Sequence, residues 1–351
     1  MDYLNETDEA TIDEKNFERL VRIIIPTIFG FITVVGFVGN LLVILVVVSN
    51  QQMRSTTNIL IVSLAVADFL FIVFCVPFTA TSYVMPVWPF GNIWCKFSQY
   101  MMYVCAYTSV YTLVLMSLDR YLAVVHAIRS MTLRTEKNTY ILVFIVWAIV
   151  LVTNIPLLFE FRVRSYPYYN QNRSACVNFR HMNDSTGQSA KLFHGFFFGF
   201  GYLIPLVIVC VLYGFMLKRL LYGVVPGGNQ SAESMRAKKR VTRMVVIVVA
   251  IFAFCWLPIQ IIFFVHYYGV HSENALFVGV QMASNCLAYM NSCMNPILYA
   301  FLSENFRKSF RKLLCCFSAP SLSKNDYDRT NYKGLECAES RTTALQSYNN
   351  V

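Results

Sequence analysis

Asn291-Ser-Cys-Met-Asn-Pro-Ile-Leu-Tyr299 lies inside an apolar run that extends from residue 276 to 302. The run breaks directly into the basic, amphipathic stretch Ser303-Glu-Asn-Phe-Arg-Lys-Ser-Phe-Arg-Lys312, which closes on Leu313-Leu-Cys-Cys-Phe317. About 20 apolar residues suffice to cross the hydrocarbon core of a bilayer as a helix, so 276–302 reads as a membrane span. Polar groups facing lipid are costly unless a partner satisfies them. Asn291, Ser292, Asn295 and Pro296 must therefore face the inside of a helical bundle, where other polar groups can meet them.

The rest of the chain has the same character. Of its 351 residues 56% are hydrophobic and 14% charged, against about 25% charged residues in soluble domains. Seven runs are long enough to span, at 22–49, 58–83, 97–126, 139–161, 193–222, 241–267 and 276–302. The expected fold class is an all-α membrane protein, a seven-transmembrane helix bundle over 22–302. An N-terminal tail (1–21) precedes it. A short amphipathic helix (303–317), with Phe306, Phe310, Leu313 and Leu314 at helical spacing, is expected to lie in the membrane interface. The polar remainder, 318–351, is expected to be disordered. The first twenty residues are acidic and polar rather than basic then apolar, so no cleavable signal peptide is expected.

Charge sets the orientation. Arg129, Arg134 and Lys137 follow the third run. Lys218, Arg219, Arg236, Lys238, Lys239 and Arg240 follow the fifth, and Arg307, Lys308, Arg311 and Lys312 the seventh. The N-terminal segment instead carries Asp2, Glu6, Asp8, Glu9, Asp13, Glu14 and Glu18. The positive-inside rule then puts the N-terminus outside and the C-terminus in the cytoplasm. The net charge of +10 belongs mainly to the inner face, near anionic lipid and protein partners rather than nucleic acid. Sequons at Asn5, Asn172 and Asn183 fall outside and are glycosylation candidates, whereas Asn229 falls inside. Cys95 and Cys176 are the two cysteines near the outer surface and could close a disulfide.

Asp68, in Leu64-Ala-Val-Ala-Asp68, is a lone carboxylate deep in the second run. Such a group costs about 2.5–3.5 kcal/mol to insert and needs partners. Asn40, Ser109, Asn291, Ser292 and Asn295 are the candidates, an oxygen-rich set suited to a sodium ion; the alternative is a protonated Asp68 in a structural hydrogen-bond network. Asp119-Arg120-Tyr121 ends the third run, 25 residues after Cys95. Phe252-Ala-Phe-Cys-Trp-Leu-Pro258 puts a proline inside the sixth, where it removes a backbone hydrogen bond and kinks the helix.

Together these strings resemble the rhodopsin-like (class A) G-protein-coupled receptors. The resemblance implies a sodium pocket built from the Asp68 set. It implies that Arg120, held by Asp119 at rest, turns to a G protein on activation, with Ile128, Lys238 and Arg307 at the same inner face. Some members carry an acidic restraint for this arginine where this chain has Lys238, which leaves Thr242, one turn on, as a weaker candidate. Trp256, Phe252 and Pro258 match the family's toggle and hinge. Val110, Pro205 and Phe252 match its packing switch, and Tyr213 and Tyr299 match the tyrosines that approach each other on activation. Cys315 and Cys316 become palmitoylation candidates. Ser321, Ser323, Thr330, Thr342 and Thr343 could serve arrestin recruitment.

The implied ligand pocket is lined by Gln99, Met102, Tyr103, Phe197, Gln260, Phe263, His266, Gln281, Asn285 and Tyr289. Met102 stands where aminergic receptors carry Asp, and Tyr289 where opsins carry the Schiff-base Lys. A broad, aromatic and neutral-polar pocket suits an amidated peptide with apolar end residues. Val87-Trp-Pro-Phe-Gly-Asn-Ile-Trp-Cys-Lys96, Met131-Thr-Leu-Arg-Thr-Glu136 and Ala300-Phe-Leu-Ser-Glu-Asn-Phe-Arg-Lys308 look like the allatostatin-A receptors and their galanin-receptor relatives. That branch implies a neuropeptide ending in a Phe-Gly-Leu-amide type motif and coupling to heterotrimeric G proteins of the Gi/o class, although Ala127 stands where many members have Pro. A galanin- or kisspeptin-type receptor is the alternative within the family. An ion channel or transporter is the alternative outside it, weakened by the lack of an internal repeat. Neither His-Glu-x-x-His nor Gly-x-Ser-x-Gly is present, so no enzyme is expected.

Overall fold

The computed structural model describes residues 2–168, 171–222, 232–268 and 275–318, with backbone only at 2–18, 168, 220–222, 232–241, 244, 275, 302, 305 and 314–318. Seven helical spans form the bundle. The first is Asp2–Ser49, the second Thr56–Phe74 continued by Val76–Val84, and the third Gly91–Val125. The fourth is Glu136–Thr153 continued by Leu157–Glu160. The fifth runs through Gln188–Phe198, a π-helical turn at Gly199–Leu203, and Ile204–Tyr222. The sixth is Ala232–Tyr268 and the seventh Ala275–Leu302, followed by the helix Glu304–Ser318. Among the described residues, six segments qualify as spans by length and apolar composition: Arg19–Ser49, Thr56–Val84, Gly91–Val125, Glu136–Glu160, Gln188–Arg219 and Val245–Tyr268. The seventh span, 28 residues long, is not among them because asparagines and serines interrupt its interior.

The boundaries differ from the sequence reading where local chemistry overrides apolar composition. The first helix begins at Asp2, so the N-terminal segment 2–21 is helical and continuous with the first span. Acidic residues at its start complement the helix dipole, and neither Gly nor Pro occurs before Pro26. The second span breaks at Cys75 and restarts at Val76 because Pro77 has no N–H and suits only a first turn. The fourth ends at Thr153, ahead of Pro156, before its last turn. The third begins at Gly91 rather than 97, on a residue whose φ of 74° belongs to the left-handed region. Ser55 caps the second span by accepting from the Asn58 N–H, and Thr135 caps the fourth by accepting from Asn138.

A β-hairpin stands in the segment 160–191, between the fourth and fifth apolar runs. Phe161–Tyr168 pairs antiparallel with Gln171–Asn178, Val163 opposite Cys176. Cys176 is bonded to Cys95 near the start of the third span. The hairpin is also sewn to residues 86–92: the Trp88 N–H donates to the Ser174 carbonyl, the Ser174 N–H to the Pro86 carbonyl, and the Val163 N–H to Asn92 Oδ1, each at 3.0 Å. Trp88, Leu157 and Phe161 pack beneath it.

The third span sits centrally, touching the second, fourth, fifth and sixth. An inner core joins Leu60, Leu64, Val110, Leu113, Met116, Phe252 and Tyr299; an outer core joins Phe29, Ile32, Phe71, Ile259 and Tyr289. Lipid is as apolar as these side chains, so close packing and interhelical hydrogen bonds hold the spans together. Gly39 shows how close: a Cβ there would lie 2.9 Å from Pro296 Cβ and 3.1 Å from its Cγ. The proline ring cannot swing aside. Gly39→Val is therefore expected to destabilise the bundle by about 1–3 kcal/mol. Gly30→Ala, which meets nothing within 4 Å, should be nearly neutral. Thermal unfolding of the purified protein compares the two; equal midpoints would refute the close-contact account.

Candidate functional site

Aromatic contacts link the residues expected to line the ligand pocket. Tyr103 meets Phe193 and Phe197 edge-on, with ring centres at 5.3 and 5.2 Å, and Phe197 lies 6.3 Å from Trp256. Tyr289 receives Phe29 and Phe71 edge-on at 5.4 and 4.8 Å. Its hydroxyl lies 3.2 Å from Thr79 Oγ1 and 3.8 Å from Met102 Sδ. Asn285 Nδ2 donates to the Tyr83 hydroxyl at 2.6 Å. On the sixth span Gln260 is 3% exposed, and among the described residues neither its Nε2 nor Trp256 Nε1 has a partner. Phe263 faces His194 at 4.7 Å, and His266 stacks on Phe277 at 5.9 Å. Gln99 and Gln281 are half-buried. None of the ten lining residues is Asp, Glu, Lys or Arg.

Below this pocket lies the buried acid. Asp68 is fully buried, and it accepts from Ser109 Oγ at 3.2 Å and Asn295 Nδ2 at 2.7 Å. Asn40 Nδ2 donates to the Gly36 and Ser292 carbonyls, both at 2.9 Å. The Ser292 side chain also hydrogen-bonds the carboxylate, so three of the five expected partners reach Asp68. The amide oxygens of Asn40, Asn291 and Asn295 are buried and accept nothing. One carboxylate with three spare amide oxygens is a donor set of hard oxygen ligands, which fits a sodium ion rather than a thiophilic metal.

The switch residues form a column toward the inner face. Trp256 lies 5.9 Å from Phe252, which lies 6.3 Å from Tyr202. Val110 and Phe252 are buried in one cluster and Pro205 is buried beside the π turn. Pro258 lies inside the sixth helix. Two tyrosine hydroxyls clasp the π turn: Tyr111 donates to the Phe200 carbonyl at 3.1 Å, and Tyr202 donates to the Ala253 carbonyl at 2.9 Å. Tyr299 is buried and stacks on Phe306, with ring centres 5.5 Å apart. Its hydroxyl has no partner, and among the described residues no bond or ring contact joins it to Tyr213.

At the inner end of the third span, the Asp119 carboxylate is surrounded by donors. Thr56 and Thr57 hydroxyls donate at 3.0 and 2.9 Å, and Arg120 Nε at 3.0 Å. Arg120 Nη2 also contacts Asp119 and Thr57. Arg134 donates from Nε at 2.6 Å and from Nη2 at 3.2 Å. Arg120 itself is 7% exposed. The Tyr121 hydroxyl pairs with His126 Nε2 at 3.1 Å. Ile128 is exposed, and Arg307 lies 4.0 Å from Glu304. Thr242, the expected weaker restraint on Arg120, makes no bond to it among the described residues.

Several participants are absent from the sequence reading. Arg134 counts there only as an inner-face charge, yet it grips Asp119. Tyr83, Thr79, His194, Tyr267 and Tyr202 lie in ordinary apolar runs, and only the fold brings their polar atoms to these places. The stacking of Tyr267 on His194, with ring centres 4.0 Å apart, has no local signal at all. Asn172 and Asn183 are exposed on the hairpin side, while the Asn5 side chain lies outside the described residues, as does that of Lys238. Cys315 and Cys316 fall within the helix Glu304–Ser318, their side chains not described, and residues 319–351 also lie outside.

Comparison with known proteins agrees with this architecture. The family described as 7 transmembrane receptor (rhodopsin family) matches residues 39–299. An allatostatin-A receptor of Bombyx mori is 54% identical over 299 residues, covering 85% of this chain and 81% of that protein. A galanin-like G-protein coupled receptor of Caenorhabditis elegans is 40% identical over 338 residues, covering 90% and 78%. Human galanin receptor type 1 is 36% identical over 310 residues, covering 87% and 84%. A match across all seven spans, joined to a buried acid, a proline within the sixth helix and a caged arginine, means that the chain belongs to the rhodopsin family of seven-transmembrane receptors.

Proposed function

We propose that this receptor is activated by a short C-terminally amidated neuropeptide of the allatostatin-A type and signals through heterotrimeric G proteins of the Gi/o class. The observation that carries the reading is the 54% identity to an allatostatin-A receptor over 85% of the chain. The neutral lining of the outer pocket supports it, because a ligand end without charge needs no counter-ion there. The N-terminus is outside and the C-terminus in the cytoplasm, as the distribution of basic residues favours. Peptide binding favours a state in which the sixth helix moves about Pro258 and frees Arg120 for the G protein. The peptide shifts that equilibrium only by its differential affinity for the two states. Peptide and G protein then strengthen each other's binding reciprocally.

The test is G-protein activation in cells expressing the chain, challenged with Phe-Gly-Leu-amide peptides, galanin and kisspeptin. A nanomolar response to the first alone is expected. A response only to galanin or kisspeptin would keep the receptor and remove the branch. Glycans at Asn5, Asn172 and Asn183, palmitate at Cys315 and Cys316, and arrestin binding to the phosphorylated tail belong to the same proposal.

Asp68 with Asn40, Ser109, Asn291, Ser292 and Asn295 would hold an allosteric sodium ion. When bound, the ion would neutralise the buried carboxylate and so favour the arrangement in which these residues stay together. Sodium is therefore expected to lower agonist affinity by about 5-fold or more, the lower range of allosteric coupling. Asp68→Asn should remove that dependence. Agonist displacement in sodium against choline at equal ionic strength measures it, and an unchanged sodium shift in the variant would sink the assignment.

A further inference from the structure

The two walls of the outer pocket treat their polar groups differently. On the wall made by the second and seventh spans, Asn285 is paired with Tyr83 and Tyr289 with Thr79. On the sixth-span wall, Trp256 Nε1 and Gln260 Nε2 are buried with no partner. Trp256 and Gln260 are four residues apart, hence one above the other on one helix face. Buried donors are normally satisfied, and an unpaired one marks a place where a missing partner belongs. A ligand's polar end thus gains most on the sixth-span wall, where it meets donors that have nothing else to bind.

We propose that Gln260 is the residue that determines specificity for the peptide's C-terminal carboxamide, with Trp256 Nε1 as a second donor. The proposal rests on the amidated-peptide reading given above. A primary carboxamide carries one acceptor oxygen and two N–H donors, and so does the glutamine side chain. The two pair head to head: Gln260 Nε2–H donates to the ligand carbonyl, and a ligand N–H donates to Gln260 Oε1. A free acid at the same place is a carboxylate, which can only accept. It leaves Oε1 without a proton and brings a charge to a wall where none of the ten lining residues is Lys or Arg. Sites built around a specific hydrogen-bond partner reject an analogue lacking it far more strongly than apolar pockets reject a missing methylene.

The experiment uses the full-length receptor in cells, with one Phe-Gly-Leu peptide prepared as the amide and as the free acid. Wild type, Gln260→Met and Gln260→Lys are compared at matched surface expression. Wild type is expected to prefer the amide by at least about 100-fold. Gln260→Met should lose about 10-fold in amide potency while leaving the acid little changed. Gln260→Lys should raise the acid's potency and lower the amide's. The ratio of the two potencies is the readout, because a merely structural glutamine would lower both together. Either variant reaching the surface with the wild-type ratio overturns the proposal, as does a wild type indifferent to amidation. A wild type silent to both peptides removes the ligand reading itself, and this inference falls with it.

Discussion

Cys95→Ser is expected to abolish most ligand binding and surface receptor. The bond to Cys176 spans a sequence separation of 81 residues, and cross-linking a loop of that size stabilises by about 4–5 kcal/mol on the chain-entropy model. It also anchors the hairpin above the pocket. Three hydrogen bonds remain in the variant, two to the loop before the third span and one to Asn92 in that span's first turn, but none replaces the covalent tie to Cys95. Without the disulfide the lid over Tyr103 and Phe193 loses its fixed position. Cys176→Ser should be equally damaging, and the double variant no worse than either alone, because all three remove the same bond. Surface immunolabelling with saturation binding measures the effect. Wild-type binding in Cys95→Ser would overturn the structural role.

Asp119→Ala is expected to carry the second-largest effect, and it acts at the opposite face. Its carboxylate holds two guanidiniums and two threonine hydroxyls in a largely buried cluster. Removing one partner of a buried ion pair destabilises by about 3–5 kcal/mol, because the opposite charge is left without compensation. Arg134 is a quarter exposed and relaxes toward water, so the lower end applies. Arg120 is then free to leave its resting place. The same geometry predicts a gentler variant. Arg134→Ala leaves Asp119 held by Arg120 and both threonines, so the receptor folds, but one of two competitors for the carboxylate is gone. Arg120 then meets no rival guanidinium for the carboxylate and is held more firmly, so basal nucleotide exchange is expected to fall by about 5-fold. Basal GTP-analogue binding in membranes decides it: an unchanged or raised rate in Arg134→Ala would mean that the two arginines do not compete for Asp119.

Much of the bundle is legible along the chain because membranes impose a severe rule. With no water to satisfy the backbone, an apolar run of span length must be a helix. Asp68, Asn291 and Asn295 announced themselves for the same reason: a polar residue in such a run has to find partners. The breaks were harder to place. Cys75 and Thr153 end helical segments because of Pro77 and Pro156, while Pro26, Pro258 and Pro296 sit inside continuous helices. Which outcome a proline produces depends on whether neighbouring spans hold the helix together across it. The hairpin over 161–178 was missed because its strands carry Arg, Ser, Tyr and Asn without the alternation of a half-buried sheet.

The sequence by itself determined that this is a seven-span receptor, which way its charges favour inserting it, and which residues form its buried acid site and its inner arginine motif. Those are consequences of composition, spacing and short local strings. Only the tertiary structure decided which donors meet which acceptors: Arg134 on Asp119, Tyr202 on the Ala253 carbonyl, Tyr83 on Asn285, and nothing on Gln260 Nε2. Partners separated by 15 to 202 residues carry no periodicity that relates them. Their pairing depends on the rotation and depth of whole helices, set by contacts such as Gly39 against Pro296 that no single segment contains.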